Sequence, residues 1–274
     1  MKCTDQPLIS VIMGVRHPEE DVSALVCSVE SILQQTYQNL EFLICEDASS
    51  RQAKDVLCRY AQSDGRICLI DGKAAETLAE KLNRCLKAAK GTFIARQDDD
   101  DVSAPERLER QIGFLLSHAE ISFVGCNVEL MQGGAFAGMR TFPEYPTPRD
   151  FLFVQPFIHP TLLFRKEVLE TVGGYCAEKR CDGCEDYDLL LRLYAAGMAG
   201  ANLQKAYFQY SIPLPGQSKR TLSMRIRESR VRWARFQQLG MLPGALPYVI
   251  KPVLVGLLPN RLLAVLKRRV YGHI

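Results

Sequence analysis

The stretch "TFIARQDDDD" (residues 92–101) places four adjacent aspartates directly after a short apolar run. The run has the length of a strand, and the acids come where that strand would end. Four neighbouring carboxylates repel one another, and each loses hydration if the loop lies in a cleft. Because a buried carboxylate must be paired or bound to a cation, the cluster indicates a binding site.

Strand-like and helix-like segments alternate on the N-terminal side of this stretch. Strands are predicted at 8–15, 40–47, 66–71 and 92–97, and helices at 21–36, 51–65 and 74–91. This alternation predicts βαβ units, and therefore an α/β fold with a mostly parallel central sheet flanked by helices. Ligands of such sheets bind beyond the carboxyl ends of the strands. Two acidic clusters stand there, Glu46-Asp47 and Asp98 to Asp101.

The residues after the aspartates predict the start of a helix. Ser103 and Glu106 have the spacing of a capping box, with Pro105 in the first turn, so the acids are expected in a tight strand-to-helix connection. One or two carboxylates would suffice as cap acceptors near the positive end of that helix. Four are better explained by a divalent cation, Mg²⁺ or Mn²⁺, that carries phosphate oxygens.

Composition sets broad limits on the class of protein. The 274 residues, 47% hydrophobic and 24% charged, are typical of a soluble globular chain with one extended domain or a domain and an appendage. No apolar stretch reaches membrane-spanning length and no N-terminal signal is recognisable, so a cytoplasmic location is expected.

Cys181 and Cys184, with Cys176 upstream, lack a second pair or nearby histidines. Reduced structural thiols are therefore favoured over a zinc or redox site.

Charge is distributed unevenly along the chain. Residues 219–274 hold twelve lysines or arginines and one acid, a net charge of +11. The first 218 residues hold 22 lysines or arginines and 30 acids, a net charge of −8. Apolar turns flanked by basic residues predict a helical tail that lies on an anionic membrane surface. Prolines at 247, 252 and 259 are expected to break its second half. A solvated helix, packing on the domain and a homodimer contact remain alternatives. No nucleic-acid motif accompanies the charge, so nucleic acid is not an expected partner.

From Leu8 to about Tyr210 the chain resembles the family 2 inverting glycosyltransferases of bacterial cell-surface polysaccharide synthesis, whose catalytic domain has the GT-A fold. Each matching piece is weak alone, but the ordered set with matching spacing is specific. The pieces are "ISVIMGV", "SVESILQQTYQNLEFLICEDASS", "LNRCLKAAKGTFIARQDDDD", "PERLERQIGFLL", "FVGCNVEL", "HPTLLFRKEVLETVGGY" and "EDYDLLLRL". The resemblance implies a catalytic domain, predicted over residues 1–218, and the charge and apolar pattern predict a basic amphipathic helical tail over 219–274.

The resemblance assigns the end of the site that holds the nucleotide base. It implies that Asp47, with Glu46 beside it, binds the base and ribose. Relatives often have Pro-x-Tyr-Asn after the first strand, whereas this chain has a Gly-Val-Arg-His sequence at 14–17. Val15 and Arg16 are the candidate contacts there, and Arg16 has the chemistry to stack on a base or pair with phosphate. UDP is expected because it is the commonest nucleotide in the family, although this departure leaves the choice open.

The family's D-x-D motif falls on Asp98 and Asp100. The resemblance implies that Asp98 reaches the ribose or the metal and that Asp100 ligates the metal on the donor's diphosphate. Asp101 matches a further acid and is assigned to the metal. Asp99 fills a position where the family often has a small residue, and it is counted among the nucleotide-sugar contacts.

The reaction also requires a base and contacts to the acceptor. Inversion needs a base on the far side of the anomeric carbon to take the acceptor's proton. The resemblance assigns this role to Asp186, with Glu185 beside it, while acids in a first helical turn are favourable in any case. Acceptor or donor contacts are expected from His159, which could instead be satisfied within its loop, from Gly174 in a turn with positive φ, and from Lys219 and Arg220 in a loop over the donor.

Together these features predict a metal-dependent inverting glycosyltransferase at the cytoplasmic face of the membrane. It would use a nucleoside-diphosphate-sugar, UDP-sugar favoured, and a saccharide or lipid-linked acceptor in lipopolysaccharide or capsule synthesis. One alternative is a degenerate relative that binds nucleotide-sugar or membrane without turnover, to which the Arg16-His17 pair points. Another is an aspartyl-phosphate phosphatase, whose D-x-D-x-[T/V] pattern Asp98 to Val102 satisfies, although its nucleophile usually comes earlier in the fold.

Overall fold

A computed structural model describes residues 6–47, 49–214 and 221–257. Nine strands of these ranges form one sheet in the order β3-β2-β1-β4-β8-β6-β9-β5, with β7 paired to β6. The strands are β1 (Ile9–Val15), β2 (Leu40–Glu46), β3 (Ile67–Asp71), β4 (Phe93–Arg96), β5 (Val102–Ser103), β6 (Ile121–Gln132), β7 (Ala135–Arg140), β8 (Leu163–Arg165) and β9 (Ala199–Ser211).

Eight helices of the described ranges accompany the sheet. They are α1 (Ser23–Leu33), α2 (Arg51–Ser63), α3 (Leu78–Ala88), α4 (Arg107–Ser117), α5 (Lys166–Thr171), α6 (Glu185–Ala195), α7 (Leu222–Gln238) and α8 (Leu246–Leu257). Strands β3, β2, β1 and β4 pair in parallel, as do β6 and β9, while the remaining pairs are antiparallel. The predicted α/β fold with strands and helices in alternation is confirmed.

The first strand is buried on both of its faces. Val11 and Met13 pack on one side with Val29 of α1, while Ile12 packs on the other with Leu82 of α3. Residues of a strand covered on both faces form a continuous apolar run rather than an alternating one. This burial fixes the sheet, and with it the carboxyl ends of β1, β2 and β4.

The predicted capping box at Ser103 is wrong. The Ser103 hydroxyl donates to Gln97 Oε1 at 2.7 Å, and Ser103 itself lies in β5, which pairs with β9. Helix α4 begins only at Arg107, and Glu106 makes no side-chain cap. The four aspartates therefore connect two strands, and β9 holds the far end of their loop.

The described part of the tail packs on the domain. Helices α7 and α8, called here the C-terminal hairpin (222–257), contact each other, and α7 contacts α6. Arg235 pairs with Asp188 at 2.8 Å, and Arg227 pairs with Asp182 at 3.2 Å. Three of the six basic side chains in the hairpin, Arg227, Arg232 and Arg235, are thus paired with acids inside the molecule.

The proline prediction also needs correction, since α8 continues through Pro252. The helix gives up one backbone hydrogen bond there without ending. Among the described residues, no helix combines the length and apolar character needed to cross a membrane. Lys219, Arg220, Pro259 and the basic cluster at 267–269 lie outside the described residues, as does the predicted domain boundary at 218/219.

Candidate active site

Two adjoining clefts lie beyond the carboxyl ends of the central strands. The Lys81 cleft, of about 490 Å³, is lined by Arg16, Lys81 and Asp99 among others. The Asp186 cleft, of about 390 Å³, is lined by His159 and Asp186 among others. Asp98 and Leu78 line both clefts. Three residues predicted for the donor, Arg16, Asp98 and Asp99, therefore line one cleft, and the predicted base Asp186 lines the adjoining one.

Asp47 is held at the end of β2 by two cations. Its Oδ2 accepts from Arg16 Nη2 at 2.8 Å, and its Oδ1 contacts Lys81 Nζ. Burial alone would raise the pKa of Asp47, but the hydrogen bonds and charges of Arg16 and Lys81 outweigh it and hold that pKa below its usual value. The site thus presents an ionised acceptor in a fixed place.

The side chains of Val15 and Glu46, both predicted to contact the nucleotide-sugar, are held by neighbouring groups of the protein. The Val15 side chain is buried in the core, and its carbonyl accepts from Lys81 Nζ at 2.8 Å. The Glu46 carboxylate accepts from the Ser49 N–H at 2.9 Å and lies 3.9 Å from Lys54 Nζ, so it orders the loop after β2. Lys81 was missed by the sequence analysis. A lysine among the apolar positions Leu78, Leu82 and Cys85 of one helix was the available signal.

Two fully buried arginines support the aspartate loop, defined as residues 98–101. Arg96 donates to Asp98 Oδ1 and to the Gln97 carbonyl. Arg107 donates to the carbonyls of Arg96 at 3.1 Å and Pro160 at 3.0 Å. Four carboxylates against two guanidinium groups leave two negative charges when all are ionised.

The electrostatics of the loop disfavour its ionised form. Burial, then the neighbouring Asp100 and Asp98, raise the pKa of Asp99 to about 7. Burial, then Asp98 and Asp100, raise the pKa of Asp101 to about 9, and the pKa of Asp100 is raised by burial and Asp98. Asp101 Oδ1 accepts from the Ser211 N–H at 2.7 Å. Among the described residues its buried Oδ2 has no hydrogen-bond partner.

Asp186 lies in the first turn of α6, where its carboxylate is oriented by two donors. Oδ1 accepts from the Tyr187 N–H at 2.7 Å, and Oδ2 accepts from Gln155 Nε2 at 3.0 Å. Glu185 instead accepts from the Gly183 N–H at 2.7 Å, and burial with the Asp186 charge raises the pKa of Glu185. Nothing in the local sequence signalled Gln155, because it lies 31 residues from its partner.

The predicted acceptor contacts differ in position. His159 lines the Asp186 cleft, and its Nε2 lies 2.9 Å from the Tyr175 hydroxyl. Burial, then the Arg96 charge, holds the pKa of His159 well below its usual value, so the ring is neutral. Gly174 has the expected positive φ of 69°, but a Cβ there would lie 2.6 Å from Asn83 Oδ1. Its turn therefore packs against α3, which places it in the scaffold.

The cysteine segment before α6 forms a compact cluster. The Cys176 and Cys181 sulfurs and an Asp188 oxygen lie within 4.8 Å of one another. Both Asp188 oxygens already pair with arginines, Arg192 at 2.7 Å and Arg235 at 2.8 Å. Burial raises the pKa of Cys181 strongly, which favours the neutral thiol. These contacts support the prediction of structural thiols.

Comparison with known proteins then identifies the family. The model of Glycosyl transferase family 2 matches residues 16–173. The putative glycosyltransferase EpsE of Bacillus subtilis is 34% identical over 257 residues, which cover 92% of this chain and 90% of that protein. The chain belongs to glycosyltransferase family 2. This confirms the predicted family and the assignment as a transferase enzyme.

Further comparisons agree. The UDP-Glc:alpha-D-GlcNAc-diphosphoundecaprenol beta-1,3-glucosyltransferase WfgD of Escherichia coli is 36% identical over 148 residues, 54% of this chain and 56% of that protein. S. aureus TarS 1-349 in complex with UDP-GlcNAc has a TM-score of 0.69 at 16% identity, over 89% of this chain and 72% of that one. The mannosyltransferase PcManGT of Pyrobaculum calidifontis, in complex with GDP-Man and Mn²⁺, has a TM-score of 0.63 at 18% identity. The match covers 97% of this chain and 80% of that one. These likenesses confirm the GT-A fold.

Proposed function

We propose that this glycosyltransferase moves a sugar, with inversion, from a nucleoside-diphosphate-sugar in the Lys81 cleft to an acceptor hydroxyl in the Asp186 cleft. The observation that carries the proposal is that Asp98 lines both clefts, which together form a groove. Arg16 and Lys81, the two cations that pair with Asp47, line one of the clefts, and Asp186 lines the other. A donor lying along this groove would place its sugar between the aspartate loop and the candidate base.

The base of the nucleotide is assigned to Asp47. An ionised carboxylate accepts hydrogen bonds only, so it suits a base that presents a ring N–H, such as uracil or guanine. Arg16, with 49% of its side chain exposed at the rim, is positioned to cover the base or contact phosphate. UDP is retained as the favoured nucleotide, and the TarS complex with UDP-GlcNAc supports this class of donor.

The aspartate loop fits a divalent cation. Its donors are carboxylate oxygens, which Mn²⁺ and Mg²⁺ prefer, and within the described part of the chain the buried Oδ2 of Asp101 has no hydrogen-bond partner. Asp98, Asp100 and Asp101 would hold the ion. When bound, the cation supplies positive charge that stabilises the leaving diphosphate. The buried Arg96 holds Asp98, and therefore the loop, in place for this task.

The chemical step is assigned to Asp186. Its carboxylate takes the proton of the acceptor hydroxyl while that oxygen bonds to the anomeric carbon and the nucleoside diphosphate leaves from the opposite face. The neutral His159 lines the same cleft, where its Nε2 is hydrogen-bonded to the Tyr175 hydroxyl. Glu185, tied to its turn, supports the start of α6.

The acceptor is a saccharide or lipid-linked saccharide of cell-surface polysaccharide synthesis, reached from the cytoplasmic membrane face. WfgD, a relative, acts on a diphosphoundecaprenol-linked sugar. Two features support a bilayer partner. Phe153 and Val154 are exposed at the rim of the Asp186 cleft, and α8 adds an exposed stripe formed by Leu246, Ile250, Leu254 and Leu257. Arg230 is exposed on α7, and the sequence adds Lys267, Arg268 and Arg269 beyond the described residues; basic residues beside apolar ones suit anionic lipid.

Thermal unfolding tests the donor site. The purified protein is heated with UDP, UDP-GlcNAc or GDP-Man, each with Mn²⁺, with Mg²⁺ or with chelator, since ligands of the folded state raise Tm by mass action. One nucleotide class is expected to raise Tm only with metal, and Asp100→Asn is expected to abolish that increment. A metal-independent shift would refute the cation site. Binding without any sugar transfer would favour the degenerate relative.

A further inference from the structure

Residues 151–155, called here the bridge segment, connect the C-terminal hairpin to the Asp186 cleft. Arg232 of α7 donates to the Leu152 carbonyl at 2.8 Å, and Lys251 of α8 donates to the Phe153 carbonyl at 3.0 Å. From the other side, the Tyr187 hydroxyl of α6 donates to the Phe151 carbonyl at 2.6 Å. Helices α7 and α8 on one side and α6 on the other therefore fix the backbone of this segment.

Arg232 holds the bridge segment through a buried guanidinium group. Its side chain is 4% exposed, pairs with Glu228 at 3.0 Å, and lies over the Tyr187 ring at 4.7 Å. A buried guanidinium needs all of its donors satisfied, because a missing partner leaves a desolvated charge. The carbonyls of the segment meet part of this need, so the segment cannot move without a cost at Arg232.

The last residue of the segment contacts the candidate base. Gln155 is half-buried, and its Nε2 donates to Asp186 Oδ2 at 3.0 Å and to the Phe157 carbonyl at 3.2 Å. With the Tyr187 N–H on Oδ1, this bond fixes the rotation of the Asp186 carboxylate. An N–H donated to the ionised form of a carboxylate also favours ionisation.

We propose that Gln155 is a positioning residue for Asp186, and that the bridge segment ties its place to the C-terminal hairpin. The inference rests on the proposed function, which names Asp186 as the base. It makes α7 and α8 part of the catalytic framework rather than an appendage. It also connects the exposed Phe153, on the surface proposed to meet the bilayer, with the reacting end of the cleft.

Several other titratable groups lie near Asp186 or interact with its charge. Those on or near α6 are Cys184, Glu185 and Tyr187, with Tyr175 before it and Tyr210 from β9. The remaining charged or titratable groups that line the cleft are Asp98, Arg140, His159, Glu228 and Arg232. These groups stay unchanged when Gln155 alone is substituted, so a change in titration is attributable to the lost donor.

The test follows the Asp186 carboxyl by ¹³C NMR in the full chain labelled at aspartate Cγ, with the resonance assigned through Asp186→Asn. Gln155→Met removes the donor at similar size, and Gln155→Glu replaces it with a carboxylate. The titration midpoint is expected to rise by at least about half a pH unit in Gln155→Met and further in Gln155→Glu. Arg232→Lys keeps the positive charge but loses the several N–H donors of the guanidinium group. It is expected to raise the titration midpoint of Asp186 by a smaller amount.

Gln62→Met on α2, an exposed position remote from the cleft, is the matched control and is expected to leave the midpoint unchanged. Unchanged midpoints in both Gln155 variants would overturn the proposal. If Gln155→Glu does not fold, it is replaced in the titration by Gln155→Asn, which shortens the side chain by one methylene. Because the titration needs no substrate, its outcome is separate from whether sugar transfer is observed. Where transfer is observed, Gln155→Met should lower kcat roughly tenfold with donor KM unchanged.

Discussion

Lys81 and Asp47 form an ion pair that is almost completely buried, with 4% and 1% of their side chains exposed. The Lys81 ammonium also donates to the Val15 carbonyl at 2.8 Å, so the pair joins α3 to the ends of β1 and β2. The interaction thus fixes, within the scaffold, the carboxylate that is proposed to receive the nucleotide base.

Lys81→Met is expected to weaken both stability and donor binding. Asp47 would remain buried with Arg16 as its partner, and the loss of a hydrogen bond to a charged group costs about 1.5–3 kcal/mol. We expect the free energy of unfolding, measured by urea titration at neutral pH, to fall by about 2 kcal/mol. Nucleotide affinity should fall at least about tenfold, because each tenfold corresponds to about 1.4 kcal/mol of lost interaction.

The same pair has a defined pH dependence. The pKa of Asp47 is lowered in the folded state, so its stabilisation is present above the unfolded value of about 3.9 and is lost as pH falls through the folded pKa. The difference between wild type and Lys81→Met should therefore shrink in acid. Lys205→Met removes an ammonium that is 68% exposed and should change stability by less than about 0.5 kcal/mol. Equal losses in the two variants would contradict the assignment.

The aspartate loop predicts cation binding that strengthens as pH rises. The pKa values of Asp99 and Asp101 are raised to about 7 and about 9. Folding therefore binds protons there, and the resulting stability is present below the unfolded pKa and is lost as pH rises through these folded values. Without metal, the contribution of these groups to Tm should fall from about pH 4, near the unfolded pKa, to about pH 9. Because the ion displaces these protons, the Tm increment from Mn²⁺ should grow over the same range.

Asp99→Asn provides the comparison for this prediction. It removes one titrating group without removing an assigned ligand, so it should flatten the fall of Tm around neutral pH while keeping the response to Mn²⁺. Scanning calorimetry at matched ionic strength measures both quantities. A Mn²⁺ increment independent of pH, in a protein that binds the ion, would show that these carboxylates are not its ligands.

The apolar stripe of α8 predicts attachment to anionic bilayers. Leu254→Glu, at a position 57% exposed, should reduce binding to phosphatidylglycerol vesicles by about tenfold, since burying a leucine is worth about 1.5–3 kcal/mol. Leu116→Glu, on α4 and 59% exposed, is the matched control and should have no effect. Flotation of the full chain with vesicles measures both. Equal loss in the two variants, or no binding by wild type, would refute this surface.

The part of the fold that the sequence predicted best is the part determined by local pattern. The apolar runs that became β1 to β4 and the helices between them have periodicities that burial on the sheet explains. The errors came where tertiary contacts overrode local signals. Ser103 matched a cap, but Gln97 and the pairing of β5 with β9 use it instead. Pro252 matched a helix end, but it lies inside α8.

The candidate site was predictable only to the level of its acids. Carboxylates at strand ends stand out in a sequence, because their chemistry and place are both local. Their partners do not, since Lys81 reaches Asp47 from another helix and Gln155 reaches Asp186 across 31 residues. Net charge likewise predicted a basic tail, but it did not reveal that Arg235 pairs with Asp188 inside the molecule or that this part of the tail packs as a hairpin.

The most direct test of the account is the anomeric configuration of the product, followed by ¹H NMR during transfer from UDP-glucose to a synthetic GlcNAc-diphospho-lipid, with UDP-GlcNAc and GDP-Man as further donors. We expect the α-linked donor to yield a β-linked product. Asp186→Asn should lower the rate of product formation by at least about a hundredfold while preserving the metal-dependent Tm shift with nucleotide. An α-linked product, or undiminished transfer by Asp186→Asn, would contradict the proposed inverting mechanism.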